Sequence, residues 1–229
     1  MSSPTPNGAQ SLIRTLVDAG VEVCFANPGT SEMHFVAALD DVPGMRAVLG
    51  LFEGVATGAA DGYARIAGKP ACTLLHLGPG LGNGLANLHN ARRAHTPMVN
   101  IVGDHATYHK RYDAPLESDI DAVAGTVSSW VHRSMTPDAV PTDGARAVAE
   151  AMRAPGGVAT LILPADVCWL DSTPPAEPIT PQPAAIVPDE VIVAAARALQ
   201  SDGDSVLFLG GRTLDERGQR AAVRIAAAT

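Results

Sequence analysis

Cysteine, aromatics, positive charge and long apolar runs are all scarce in this chain, and each shortage removes a class of protein. The three cysteines, Cys24, Cys72 and Cys168, are odd in number and far apart. That argues against a disulfide framework or a zinc cluster and makes them buried small hydrophobes. Asp and Glu outnumber Lys and Arg by 24 to 16, for a net charge of -8. With aromatics at 4% and no Lys/Arg stripe interleaved with them, no nucleic-acid partner is expected. No apolar run approaches the roughly 20 residues that cross a bilayer, so no membrane partner is expected. Residues 1–8 lack a basic region followed by an apolar stretch. No secretory signal is therefore expected, and a cytoplasmic location follows by default. There is also no internal repeat, no Gly-x-Ser-x-Gly elbow and no cysteine with an activating partner nearby in sequence.

The 229 residues, 46% of them apolar, have room for one full α/β domain plus part of a second, since domains usually run to roughly 100–150 residues. Apolar strand runs alternate with helical patterns, which predicts an α/β fold with a doubly wound, mostly parallel sheet covered on both faces. Helices are expected over 11–19, from Thr30 or Ser31 (as cap) through Leu39 with Glu32 and Asp40 on the polar side, and over 53–67, closed by Gly68. A further helix is expected with Leu81, Leu85, Leu88 and Ala91 as its apolar face, and others over 116–127 and over 142–153. Strands are expected over 21–26, 46–51 (short and buried), 71–76, 98–102 and 157–163. This first domain spans residues 1–170. Residues 171–188, with Pro174, Pro175, Pro178, Pro181, Pro183 and Pro188, read as a proline-rich linker. Residues 189–229 read as the start of a second α/β domain, with a helix over 189–200, a strand over 205–210 and a helix over 213–228.

The segment from Leu51 to Arg65 sets one carboxylate, Glu53, at a strand end and follows it with Gly54, Ala56, Gly58, Ala59, Ala60, Gly62 and Ala64. A run of so little bulk lets another backbone approach closely, within the chain or at a subunit contact. Poor solvation there suits Glu53 to hold or share a proton, although an acid in a first helical turn can also simply complement the helix dipole. His76 ends a strand just before a glycine-rich turn over 78–84, where open α/β sheets place ligands, so a functional and a structural role are both open. That turn fits neither the dinucleotide nor the P-loop spacing, which leaves a nucleotide-binding module as a loose analogy. His105 and His109 are four apart beside Asp104, but their polar neighbours suggest a solvated loop, and no metal site is assigned.

Taken together, five motifs in order resemble a known family: Asn27-Pro28-Gly29-Thr30-Ser31-Glu32; Phe52-Glu53-Gly54 with Ala60-Asp61-Gly62-Tyr63-Ala64-Arg65; Gly78-Pro79-Gly80 with Gly82-Asn83; Thr96-Pro97-Met98; and Gly157-Val158 through Leu163-Pro164-Ala165-Asp166-Val167. Residues 9–169 resemble the N-terminal, pyrimidine-binding domain of thiamine-diphosphate enzymes of the acetolactate synthase and benzoylformate decarboxylase group. The resemblance implies thiamine diphosphate as cofactor, a 2-oxo acid as substrate, and Glu53 as the glutamate that hydrogen-bonds the cofactor's pyrimidine ring and promotes proton removal from the thiazolium. It also implies that Asn27, Pro28, Gly29 and Asn83 line the cofactor pocket, that His76 relays protons, and that Thr30 and His76 face the substrate.

Two details point different ways within the group. Asn27-Pro28-Gly29-Thr30 and Leu75-His76 are closer to benzoylformate decarboxylase, whereas Gly78-Pro79-Gly80 is the acetolactate synthase form. Asp104 stands where the family has a glutamine. The family holds the diphosphate and Mg2+ through a C-terminal domain with a Gly-Asp-Gly segment and paired asparagines. The nearest strings here, Gly103-Asp104-His105 and Asp202-Gly203-Asp204, lack the asparagines. The resemblance thus implies a chain inactive alone that contributes half a site, either as part of a longer homodimeric or homotetrameric enzyme or as a short subunit paired with a separate diphosphate-binding chain.

Overall fold

Short apolar segments between amphipathic ones build a single six-stranded sheet in the computed structural model, which describes residues 5–201 and 203–229. Residues 1–4, part of the stretch read for a secretory signal, and Asp202 lie outside the described residues. The chain divides into two compact units, Met1–Gln182 and Pro183–Thr229.

In the first unit the helices are α1 (Gly8–Asp18), α2 (Met33–Asp41), α3 (Glu53–Ala67), α4 (Leu77–Arg93), α5 (Ile120–Gly125), α6 (Val140–Met152) and α7 (Ala165–Trp169). The strands are β1 (Val23–Asn27), β2 (Arg46–Leu49), β3 (Ala71–Leu75), β4 (Met98–Asp104), β5 (Trp130–Arg133) and β6 (Val158–Pro164). They lie in the order β2-β1-β3-β4-β6-β5, and every pairing is parallel. Local chemistry sets several boundaries. Asn7 caps α1 by accepting from the Gln10 N–H at 2.9 Å while its own N–H donates to the Gln10 side chain at 3.0 Å, a reciprocal capping box. Gly68, at φ 64°, closes α3 in the left-handed conformation that glycine adopts without a Cβ penalty.

Alternate residues of each strand enter opposite cores. Cys24, Cys72, Leu74, Ile101 and Leu161 pack with Leu12, Leu16 and Phe35 of α1 and α2. Val23, Leu75, Met98, Val102 and Ile162 pack with Ala60, Leu81, Leu88 and Ile120 of α3, α4 and α5. The side chains that are polar on this second face satisfy one another. Thr73 donates to Asn100 Oδ1 at 2.7 Å, and Asn100 Nδ2 donates to Thr160 Oγ1 at 2.9 Å, so three neighbouring strands share a closed polar row. All three cysteines are buried and unpaired in disulfides. The Cys72 thiol is pushed well up by its hydrogen bond with Cys24 and by burial, and the Cys168 thiol is pushed up chiefly by burial, which keeps both inert.

Several expectations need correction. The segment at 46–51 is not a buried strand: β2 is an edge, with Arg46, Ala47 and Leu49 exposed. The glycine-rich stretch at 78–84 is no turn but the opening of α4, and the turn is confined to His76 and Leu77, where Leu77 has φ 50°. β5 was not foreseen; it makes the sheet edge beyond β6. The two helices expected over 116–127 and 142–153 shorten to α5 and shift to α6.

The second unit holds α8 (Asp189–Leu199), a 3-10 turn (Gly211–Leu214) and α9 (Glu216–Ala226). The strand expected over 205–210 has no ladder partner among the described residues, and that segment is without regular structure. An apolar run becomes a strand only when a neighbour accepts its backbone hydrogen bonds.

Candidate active site at the carboxyl end of the sheet

The strand order reverses direction at β1: β2 lies to one side of it and β3 to the other. Open α/β sheets bind ligands beyond the strand ends at such a point. Asn27 ends β1 opposite Leu75, the last residue of β3. Pro28-Gly29 and His76 are therefore brought face to face, and a Cβ on Gly29 would overlap the His76 ring. Only glycine leaves the imidazole that position.

Glu53 is the first residue of α3, where the helix N-terminus favours a carboxylate, and it is 8% exposed. Asn83, in the second turn of α4, donates from Nδ2 to Glu53 Oε2 at 3.0 Å. The other oxygen, Oε1, has no hydrogen-bond partner among the described residues. It lies 3.1 Å from where a Cβ on Gly80 would stand, and the His76 Cβ lies 3.5 Å from that same point. The missing side chain of Gly80 thus lets Glu53 and His76 both approach the same point of α4. The small residues of α3 meet α4 directly. Asn87 Nδ2 donates to the Gly54 carbonyl at 2.6 Å and Thr57 donates to the Gly84 carbonyl at 3.2 Å, so the close-approach partner of the glycine-alanine run is a helix of the same chain.

Glu32 joins the site, which corrects its expected place on the polar side of a helix. Thr30–Glu32 is a 3-10 turn, and neither Thr30 nor Ser31 caps α2. Instead the Glu32 carboxylate turns inward, 2% exposed, and its Oε2 accepts from the Gly29 N–H at 2.7 Å and lies 2.8 Å from His76 Nδ1. Burial pushes its carboxyl up, and the Gly29 N–H and His76 only partly offset this. Its Oε1 is buried without a partner, packed where any side chain on Gly103 would overlap it. A sequence signal existed: a glutamate three residues after a turn residue is half of a capping box.

The residues expected in the site thus fall into groups. Glu53 and Asn83 are hydrogen-bonded to each other, and His76 is stacked under Gly29. Asn27 and Pro28 lie at the same strand end, half-buried, and Thr30 is exposed with no side-chain hydrogen bond among the described residues. His105 and His109 lie elsewhere, edge to face at 5.3 Å, and no three metal-ligating side chains converge among the described residues. Asp104, at the end of β4, is fully buried, ion-paired with Arg133, and 3.4 Å from Lys110 Nζ.

The model for the N-terminal TPP-binding domain of thiamine pyrophosphate enzymes matches residues 6–124. The chain belongs to this family. Among curated proteins, a Mycobacterium tuberculosis protein carrying the provisional name acetolactate synthase large subunit IlvX is 64% identical over 223 residues, which is 97% of this chain and 43% of that protein. Benzoylformate decarboxylase of Pseudomonas aeruginosa is 33% identical over 157 residues, 68% of this chain and 29% of that protein. Among solved structures, a thiamine diphosphate-dependent 4-hydroxybenzoylformate decarboxylase of Rhodococcus jostii RHA1 superposes with a TM-score of 0.85 at 25% identity, over 95% of this chain and 42% of that one. The chain thus spans less than half the length of these relatives.

The site chemistry fits the aromatic half of thiamine diphosphate. Glu53 Oε1 accepts no hydrogen bond among the described residues, and Gly80 puts no side chain against it. It does not fit the diphosphate half, because Asn27, Gly29, Glu32, Glu53, His76 and Asn83 include two carboxylates and no cation. No membrane-crossing helix occurs among the described residues.

Proposed function

We propose that this chain is the pyrimidine-binding part of an enzyme acting on 2-oxo acids in the manner of acetolactate synthase, combining decarboxylation with carbon-carbon bond formation. The observation that carries this is the Glu53 carboxylate, buried at a helix N-terminus, oriented by Asn83 through Oε2 and open at Oε1. When bound, thiamine diphosphate supplies the electron sink for breaking the bond beside the substrate carbonyl. The chain supplies proton control and positioning. Glu53 holds and returns a proton at Oε1 on the pyrimidine side, while Asn83 fixes the carboxylate's rotation. Asn27, Pro28 and Gly29 form one wall of the cofactor pocket. His76 moves a proton at Nε2 on the substrate side, where Thr30 offers its hydroxyl.

The diphosphate is assigned to residues other than these, since its negative charge would be repelled by two carboxylates, and Mg2+ goes with the diphosphate. Residues 1–229 by themselves should therefore bind the cofactor weakly and turn nothing over; the active form is a homodimer or homotetramer in the cytoplasm. A second reading, a benzoylformate decarboxylase-like lyase, is favoured specifically by His76, a protonating group placed beside Glu53.

The test supplies the complete gene product with thiamine diphosphate and Mg2+ and compares products from pyruvate and from benzoylformate. Acetolactate from pyruvate supports the first reading and benzaldehyde from benzoylformate the second. A cofactor-saturated protein that leaves both acids untouched contradicts both.

A further inference from the structure

The Glu32 carboxylate is the feature the proposed chemistry has not used. A buried oxygen with no partner is costly, and here it belongs to an acid that burial pushes up. Nothing about packing requires it, since a neutral side chain of the same length would fill the space against Gly103. Its other oxygen contacts His76, the residue given the substrate-side proton.

We propose that Glu32 is a positioning residue that fixes His76 as the Nδ1–H tautomer and so makes Nε2 its basic, substrate-facing nitrogen. Glu32 Oε2 already accepts the Gly29 N–H at 2.7 Å and lies 2.8 Å from Nδ1. An oxygen that accepts one N–H in a buried turn is best used as the acceptor of a second, so Nδ1 carries the proton and donates it. Nε2 makes no hydrogen bond among the described residues, and the side chain keeps 23% of its surface exposed. Gly29 lies against the ring, so close that a Cβ there would overlap it. When Nε2 takes a proton, the N–H bond forms at Nε2, the Nδ1–H bond stays, and the ring's new positive charge faces the Glu32 carboxylate. The logic is that of an acid holding a histidine in a catalytic triad.

The inference rests on the reading of this pocket as the reaction site, but its first test needs neither cofactor nor substrate. Long-range proton-nitrogen NMR of the 15N-histidine-labelled chain at about pH 8 reads the tautomer of neutral His76, with the signal assigned by its loss in His76→Ala. The expected result is a protonated Nδ1 and an unprotonated Nε2. A protonated Nε2 would mean that Glu32 donates from Oε2, and overturns the proposal. In Glu32→Met, which keeps the length but removes the acceptor oxygen, the Nδ1–H population should fall; an unchanged tautomer also overturns it.

The second test is kinetic and uses the complete, cofactor-loaded gene product on the acid it turns over. Glu32→Gln should lower kcat by about a hundredfold, the lower end of acid-base effects, with KM changed little. In a His76→Ala background the same substitution should cost no further factor, because Glu32 acts through His76. Equal losses in both backgrounds would overturn the proposal. Absence of any wild-type turnover would count against the pocket reading, while the tautomer measurement still decides the role of Glu32.

Discussion

Asp104 ends β4 fully buried with Arg133 and Lys110 on its carboxylate, whereas Glu32 and Glu53, beyond the neighbouring strands, are met only by a backbone N–H, an imidazole and an amide. Asp104 also accepts its neighbour's N–H from His105 at 2.7 Å, so its hydrogen-bonding capacity is filled. Arg133, which burial alone would push down, is held above its usual value by Asp121 and Asp104. Glu32 and Glu53 each keep one oxygen without a partner. A buried carboxylate neutralised by cations is a structural fixture, and one left with open valences is available for protons and ligands. This difference accounts for a position that otherwise looks like a lost family residue: Asp104 stands where the resemblance expects a glutamine, and it is committed to holding β5 and the loop after β4.

The largest effect expected from this contrast is on stability. Asp104→Ala leaves Arg133 and Lys110 without their buried partner and should cost about 3–5 kcal/mol in denaturant unfolding. A loss under about 1 kcal/mol would erase the distinction between the two carboxylate sites. Next in size is Gly103→Ala, whose new methyl overlaps Glu32 Oε1; overpacking of this kind costs about 1–3 kcal/mol. In a Glu32→Ala background the same substitution should be nearly free, since the methyl then has room. Equal costs in both backgrounds would show that Glu32 does not point at Gly103.

The smallest effect is the most specific. The folded Glu32 carboxyl sits above its ordinary range because of burial, so the folded state keeps that proton to higher pH than the unfolded chain does. Stability from the neutral acid is complete below the ordinary glutamate range and is lost as pH rises through the folded value. Glu32→Gln, which cannot ionise, should therefore gain on the wild type as pH rises, melting a few degrees higher at about pH 8 and with a smaller difference at about pH 4. A difference that is constant with pH would contradict the burial of an ionisable group there. Such a stability penalty at neutral pH is what a residue retained for His76 would show.

Much of this architecture could be read in advance, and the exceptions have physical causes. β1, β3, β4 and β6 announce themselves as apolar runs, and the Glu53 helix carries both its acid start and its glycine stop. β5 has only Trp-Val-His-Arg, too short for a period to register, and exists because β6 offers an edge. The stretch at 78–84 carries four glycines, poor helix formers singly. They are tolerated because Gly80 and Gly84 let Glu53, Thr57 and Leu75 come close. The segment at 205–210 fails in the opposite way, apolar enough for a strand but without a described partner.

In the site, Glu53, Asn83 and the Gly29 turn were legible through ordered motifs. Glu32 was not, because polar periodicity assigns an acid to the solvent face and its partner His76 lies 44 residues away. Contacts made only where β1 pairs with β3 leave no local trace.

The central claim is that Glu53 Oε1 is the oxygen that receives and returns the proton on the cofactor side. Turnover of 2-oxo acid by the complete, cofactor-saturated gene product, wild type against Glu53→Gln, tests it most directly. The account predicts a loss in kcat of about 10²–10⁴-fold with the fold and melting behaviour kept; near-full activity in Glu53→Gln would contradict it.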